Sequence, residues 1–335
     1  MKKVWTLLLV IAAVFIVLFY ATNREHFSNK QTAYYIVHSD MLKKSGGVIG
    51  IDIDGETTGR ETLAIQDVTK FTFQDSYFIA SGHRANNNLI IDRNGKIKEF
   101  LLLDNPNYSG VNCMTSDGKK IVAVMNGNLQ DNTYKNLLVI QDMEGHVIEK
   151  KILDIDAYDV IVEKNKIFIA GSYLQADKNQ WSSKIIAYDD GNAEMQENIL
   201  SKDSDYKKMV VIGDKIYCLS ANMENEARNI DILNRNTLGK IGEFTFEKSI
   251  DDIFVWNGEL YGVIDNDLSK ISEKGAETIL HPLPDQTYVS STIADDEYVY
   301  LYSRSETPSK ENGKMNLGTI TRYNMLTGES MQTPV

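Results

Sequence analysis

The residues best placed to do chemistry sit in five short stretches: "NPNY" ending at Tyr108, "DIDAYD" with Tyr158 and Asp159, "DSDYKK" with Tyr206, Lys207 and Lys208, "SIDD" with Asp251 and Asp252, and "PDQTY" ending at Tyr288. A sixth, "SYLQADKNQWSSK", contributes Trp181. Aromatic rings give large contact area at low entropic cost and stack on sugars or side chains. Carboxylates such as Asp159 and Asp251 would do acid and base work if burial raised the pKa of one of them. The other reading of the tyrosines is structural, with rings wedged between layers of the fold and hydroxyls capping strand ends.

Known catalytic signatures do not extend this set. The chain has no GxSxG, HExxH, P-loop or dinucleotide-binding fingerprint, and no motif implies a cofactor. His38 and His83 end similar apolar runs, with Asp40 close to the first, but they lack the spacing of a structural zinc site. "DIDGE" and "DRNG" resemble fragments of calcium loops without the remaining ligands. Because such turns recur, Asp or Asn nucleating a β-turn is the better account. Cys113 and Cys218 are the only cysteines, both in strand-like contexts, and read as small buried hydrophobes.

The elements that must position these residues follow from a repeat. "IIDRNGKIKEFLLL" is an apolar run, a polar turn with Gly95, and a partly alternating second run. Copies follow with Gly145, Gly191, Gly239, Gly275 and Gly328 at the turn, and a looser one precedes at Gly55. The spacing averages about 45 residues, which suits a four-stranded propeller blade. Upstream of each turn lies another β-branched or aromatic run, such as "YYIVHSD" or "IFIAGSY", and before all but the first a further strand. Each full unit is therefore four strands, named a to d from the axis outward. The chain begins at strand b of the first blade, so that blade is expected to lack its inner strand and the ring to close by face packing. The uneven spacings also admit six or eight blades.

On these repeats the chain resembles the broad superfamily of seven-bladed propellers with WD40-like or YVTN-like blades, over about residues 33–335. The resemblance is architectural, since no blade carries a "WD" or "YVTN" string. It implies an all-β seven-bladed propeller of four-stranded antiparallel blades, with ligands bound on the face bearing the b-to-c and d-to-a connections. Several b-to-c connections are long, among them the one with Trp181, and long loops on a rigid scaffold often hold function. Four tyrosines at the start of strand a, Tyr108, Tyr158, Tyr206 and Tyr288, are seven to nine residues from the next turn and are expected to ring the channel mouth. With Asp159, Trp181, Lys207 and Asp251 they form the candidate ligand-binding set.

Residues 4–20 are uncharged and almost wholly apolar, and about 26 Å long as a helix, near the lower limit for spanning a membrane. Lys2 and Lys3 precede them, and the cleavage positions after Ala21 or Thr22 place Phe19 or Tyr20 where a small residue is required. The organisation expected is a signal-anchor helix over 1–21, a polar tether over 22–32 and the propeller over 33–335, outside the cytoplasm. A secreted, cleaved form is the alternative. The net charge is −12, with +3 in residues 1–30, so the folded part is strongly acidic and nucleic acid is excluded as a partner. The expected function is a ligand- or protein-binding module of the cell envelope, its partner an envelope protein, glycan or small molecule. A propeller lactonase, glycan-active hydrolase or lyase, and an envelope scaffold, are the alternatives. Membrane-extracted protein should retain residues 1–21, and an intact mass lacking them would refute the anchor.

Overall fold

The computed structural model describes residues 32–335 except 75–76, 93–94, 103–106, 128, 131–132, 176–179, 190–193, 223–226, 285–286 and 312–313. The expected anchor over 1–21 and most of the tether lie outside the described residues. Seven antiparallel sheets follow one another along the chain as a seven-bladed β-propeller. Blade 1 has three strands, Tyr34–Ser39, Gly46–Ile51 and Thr57–Leu63, and begins at strand b. Blades 2 to 7 each have four, and their inner strands are Val68–Gln74, Gly110–Ser116, Asp156–Glu163, Ser204–Ile212, Ile250–Trp256 and Thr287–Ala294.

Burial explains the sequence pattern of each strand. Strand c of blade 3, Asn136–Asp142, is a continuous apolar run because both of its faces are covered. The outer strand beside it, Val147–Leu153, alternates because one face meets solvent. Apolar clusters fill the interfaces between consecutive blades from 1 to 7; that between blades 3 and 4 contains Val124, Leu138, Ile155, Ile169 and Ile186. The seam from blade 7 to blade 1 is held by an edge-to-face contact of Tyr34 with Tyr300 and by Thr333 Oγ1 donating to the Ile53 carbonyl at 3.0 Å. The ring thus closes by face packing, and no strand of blade 7 pairs with blade 1 among the described residues.

The c-to-d turns are built by side chains. Asp52, Asp92 and Asp142 each accept a hydrogen bond from the amide four residues on, at 2.8–2.9 Å, which is the work expected of a turn-nucleating acid. Gly145 takes the left-handed conformation at φ 100°. In blade 5 the expectation that Gly239 does the same is corrected: Leu238 has φ 56° instead. Its side chain is fully buried between blades 4 and 5, and that burial offsets the cost of the left-handed backbone.

The b-to-c connections expected as loops in blades 4 and 7 are instead extensions of the hairpin. Strands Lys166–Gln175 and Gln180–Asp189 remain paired as far as Gln175 opposite Gln180, and Tyr298–Glu311 pairs with Lys314–Asn324 in the same way. The cluster between blades 3 and 4 has no counterpart at the seam among the described residues, and Leu138→Ala within it should cost about 2–5 kcal/mol in denaturant unfolding. Thr333→Val at the seam should cost only about 1 kcal/mol.

Candidate functional site at the channel mouth

Every inner strand carries a β-bulge at the same register. Its pairing with strand b skips one residue, in turn Thr69, Asn112, Tyr158, Lys207, Asp251 and Ser290. A regular inner strand points its side chains into the neighbouring blades, whereas a bulge sets two residues against one and re-aims a side chain. In blades 4 to 6 two successive residues therefore stand at this level, the bulge residue in an outer tier and the one after it in an inner tier.

In blades 3 to 5 the outer tier forms one connected polar cluster. Asn112 Nδ2 donates to Asp156 Oδ1 at 3.2 Å and to Asn136 Oδ1 at 3.3 Å. Tyr158 donates its hydroxyl to Asp156 Oδ2 at 3.1 Å. Lys207 Nζ lies 4.4 Å from the centre of the Tyr158 ring and donates to Asp205 Oδ2 at 3.0 Å. Asn136 Oδ1 also accepts the Ala157 amide at 2.9 Å, fixing the strand just before the bulge. Gly171 faces that point from strand b, where a Cβ would come within 2.0 Å of the Asp156 carbonyl oxygen, so no larger residue fits. Burial raises the pKa of Asp156; the Tyr158 hydroxyl, Lys207 and His83 oppose this, and Asp205 adds to it. Burial, with Asp156 beside it, raises the Tyr158 phenol far above its ordinary value.

The inner tier is a belt of charges. Asp159 accepts the Met209 amide of the next blade at 2.7 Å and the Val160 amide at 3.0 Å. Lys208 Nζ approaches Asp252 Oδ1 at 3.7 Å, and the same oxygen accepts the Ile253 amide at 2.9 Å. Burial raises the Asp159 pKa against the pull of Lys208, and Asp252 raises that of Lys208 against desolvation. The Lys208 side chain keeps 41% of its surface accessible because the groups around it line an open channel.

The expected site residues separate accordingly. Tyr158 and Lys207 lie in the outer cluster, Asp159 in the inner belt, and Asp251 is the exposed bulge residue of blade 6. The expectation of four tyrosines in one register is corrected, since relative to the bulge Tyr158 is at it, Tyr206 one before, Tyr288 two before and Tyr108 four before. Tyr108 is buried in the core between blades 2 and 3. Tyr206 is fully buried and donates to Asp231 Oδ2 at 2.7 Å, so for these two the wedge reading describes the geometry. The side chain of Tyr288 lies outside the described residues. Trp181 sits on strand c of blade 4 opposite Leu174, not on a loop.

Asp159 and Asp251 do not form the carboxylate pair; Asp159 is occupied by two backbone amides. The converging pair is Asp156 and Asp205, which sequence reasoning missed together with Asn112, Asn136 and His83. The usable signal was an acid two residues before the bulge in blades 4 and 5, Asp156 before Tyr158 and Asp205 before Lys207. His38 is exposed, and among the described residues no three His, Cys, Asp or Glu side chains gather as a metal site.

No family model and no curated protein matches the chain. Its fold is similar to a streptogramin B lyase, at 16% identity and TM-score 0.58 over 90% of this chain and 87% of the other. A catalytically inactive histidine-to-alanine variant of virginiamycin B lyase from Staphylococcus aureus with quinupristin aligns at 16% identity and TM-score 0.57, over 90% and 88%. The β-propeller domain of the Trilobed protease from Pyrococcus furiosus, described as having an open velcro topology, aligns at 11% identity and TM-score 0.55, over 90% and 96%. At these identities the likeness is one of fold.

The raised pKa of Asp156 has a signed consequence. Its carboxylate costs the folded state free energy, and the relative stability fully present below the ordinary value of 3.8 is lost as pH rises from there through the higher folded pKa. Asp156→Asn removes the charge and keeps one acceptor oxygen, for Asn112 Nδ2, while its amide nitrogen can donate to the Tyr158 hydroxyl oxygen in place of accepting from it. Its melting temperature relative to the unsubstituted chain should therefore be higher at pH 7 than at pH 3, by thermal melts at both.

Proposed function

We propose that the chain is a membrane-tethered, extracytoplasmic binding propeller of the cell envelope, which receives an envelope protein or small polar ligand at the channel mouth of blades 3 to 5 without catalysis. One observation carries this reading: Asn112, Asp156, Tyr158, Asp205 and Lys207 are linked across three blades at the bulges. Among these residues the acids outnumber the base, since Asp156 and Asp205 share Lys207 while Asp251 is exposed at the bulge of blade 6. The mouth therefore suits a cationic or hydrogen-bond-donating group, such as an amine or a Lys- or Arg-bearing loop. The expected anchor supports an envelope setting because residues 4–20 have the length and apolarity of a single span.

A second reading, a propeller lyase or hydrolase, has one observation in its favour: the raised pKa of Asp156 beside Asp205 and Tyr158 suits a carboxyl that holds a proton. Quinupristin incubated with the protein should remain unchanged by mass spectrometry if the binding reading is right, and its conversion would establish the enzyme. Binding itself is tested by pull-down from solubilised envelope with the full chain. Asp156→Asn combined with Tyr158→Ala should reduce captured partner about tenfold, a loss of roughly 1.4 kcal/mol, once cooperative melting of the variant is verified. Asp54→Asn on the opposite face should not. Loss with Asp54→Asn and retention with the mouth variant would place binding on the other face.

A further inference from the structure

Among the described residues no strand occupies the inner position of blade 1, and its surroundings have the features of a β-strand acceptor. Strand b, Tyr34–Ser39, is the edge of its sheet, whereas in blades 2 to 7 strand b is covered by strand a. Its apolar residues from Tyr34 to Val37 are only half-buried, while those of strand b in blade 3, Lys120–Asn126, are fully buried. An edge strand presents unpaired amides and carbonyls along its free side and can template another strand.

The walls of this position are apolar and out of place for a solvated surface. Phe71 and Phe73 of blade 2 pair with Ala80 and Phe78, whose packing sets that face toward blade 1. Phe71 is 38% exposed and Phe73 46%. The residues matching Phe71 in the next four blades, two beyond the bulge, are Met114 at 6%, Val160 at 2%, Met209 at 1% and Ile253 at 0%. Each of those is covered by the inner strand of the blade before it, and Phe71 alone among these five meets a blade with no such strand. On the other side, half-buried Ile293 of blade 7 pairs with Tyr300, which touches Tyr34.

The described start of the chain leads away from this position. Thr32 and Thr58 join their hydroxyls at 2.6 Å, and the Ala33 amide donates to the Ile51 carbonyl at 2.7 Å. Where the described chain begins, it is thus directed beneath strand c toward outer strand d and away from the channel. A chain supplying its own inner strand through a tight hairpin would have to turn the opposite way.

We propose that an extended segment of another protein, with apolar side chains at alternate positions, inserts into the ring as the missing inner strand of blade 1. It would pair by main-chain hydrogen bonds with Tyr34–Ser39 and lay alternate side chains on Phe71 and Phe73. This surface lies on the blade 2 and blade 7 side of the channel and is independent of the mouth cluster of blades 3 to 5.

A displayed library of random nonapeptides panned on the full-length chain tests the proposal, followed by hydrogen exchange with the enriched peptides. Enrichment of sequences with alternating apolar residues is expected. Those peptides should slow exchange within residues 36–39 and bind Phe71→Ser/Phe73→Ser about tenfold more weakly, while Lys207→Ala leaves their affinity unchanged. The proposal fails if nothing is enriched, or if enriched peptides leave residues 36–39 unprotected. It also fails if these amides are already slow in the free chain and speed up on deletion of residues 2–31, because the chain's own upstream segment then fills this position.

Discussion

A β-bulge repeated at one register of all six inner strands is the constraint on which the channel depends. Radial packing requires the side chains of an inner strand to enter the neighbouring blades, and strands so arranged would present the axis with little but backbone. The bulge relieves this at one level of the ring. There, Asn112, Tyr158 and Lys207 join one polar cluster, and Asp159 and Lys208, the residues after the second and third, form a second level beneath, while Cys113 enters the apolar core between blades 3 and 4. The outer tier is wet enough to meet a ligand and the inner tier is tied to backbone amides.

Charges in such a place are costly, and their pairing decides whether they are tolerated. Asp159 is held by two amides and faces Lys208, which in turn faces Asp252, so each charge in the belt has an opposite or a donor beside it. A belt of this kind adds little net stability over an apolar one, since desolvation consumes most of the attraction. It does link blades 4, 5 and 6 at defined positions, and most of the cohesion of the ring comes from the apolar clusters between blades.

The asymmetry of blade 1 has the same origin as the repeat itself. Each blade is stable because its neighbours cover both of its faces, and a blade that starts at strand b satisfies this only partly. The outer part of blade 1 packs on blade 2 through Val48, Leu63 and Ile65, while Phe71 and Phe73 stay uncovered nearer the axis. The contacts described at the seam with blade 7 are accordingly an aromatic pair and a hydrogen bond, where the other interfaces hold clusters of buried apolar side chains.

The spacing of turns and apolar runs was enough to determine a propeller, its four-strand unit and the expectation of a first blade that starts at strand b, because these depend on local periodicity that each repeat states separately; the count of seven among six, seven or eight was decided by the structure. The same spacing also determined the turn role of Asp52, Asp92 and Asp142, whose partners are four residues away. Which polar residues meet at the mouth was decided by tertiary structure. A bulge shifts register by a single residue, and in a strand one residue separates opposite faces, so counting from the nearest turn grouped Tyr108 and Tyr206 with Tyr158 although the fold buries the first two. The convergence of Asp156 with Asp205, 49 positions apart in the chain, exists only because consecutive blades bring their bulges to one level around a common axis.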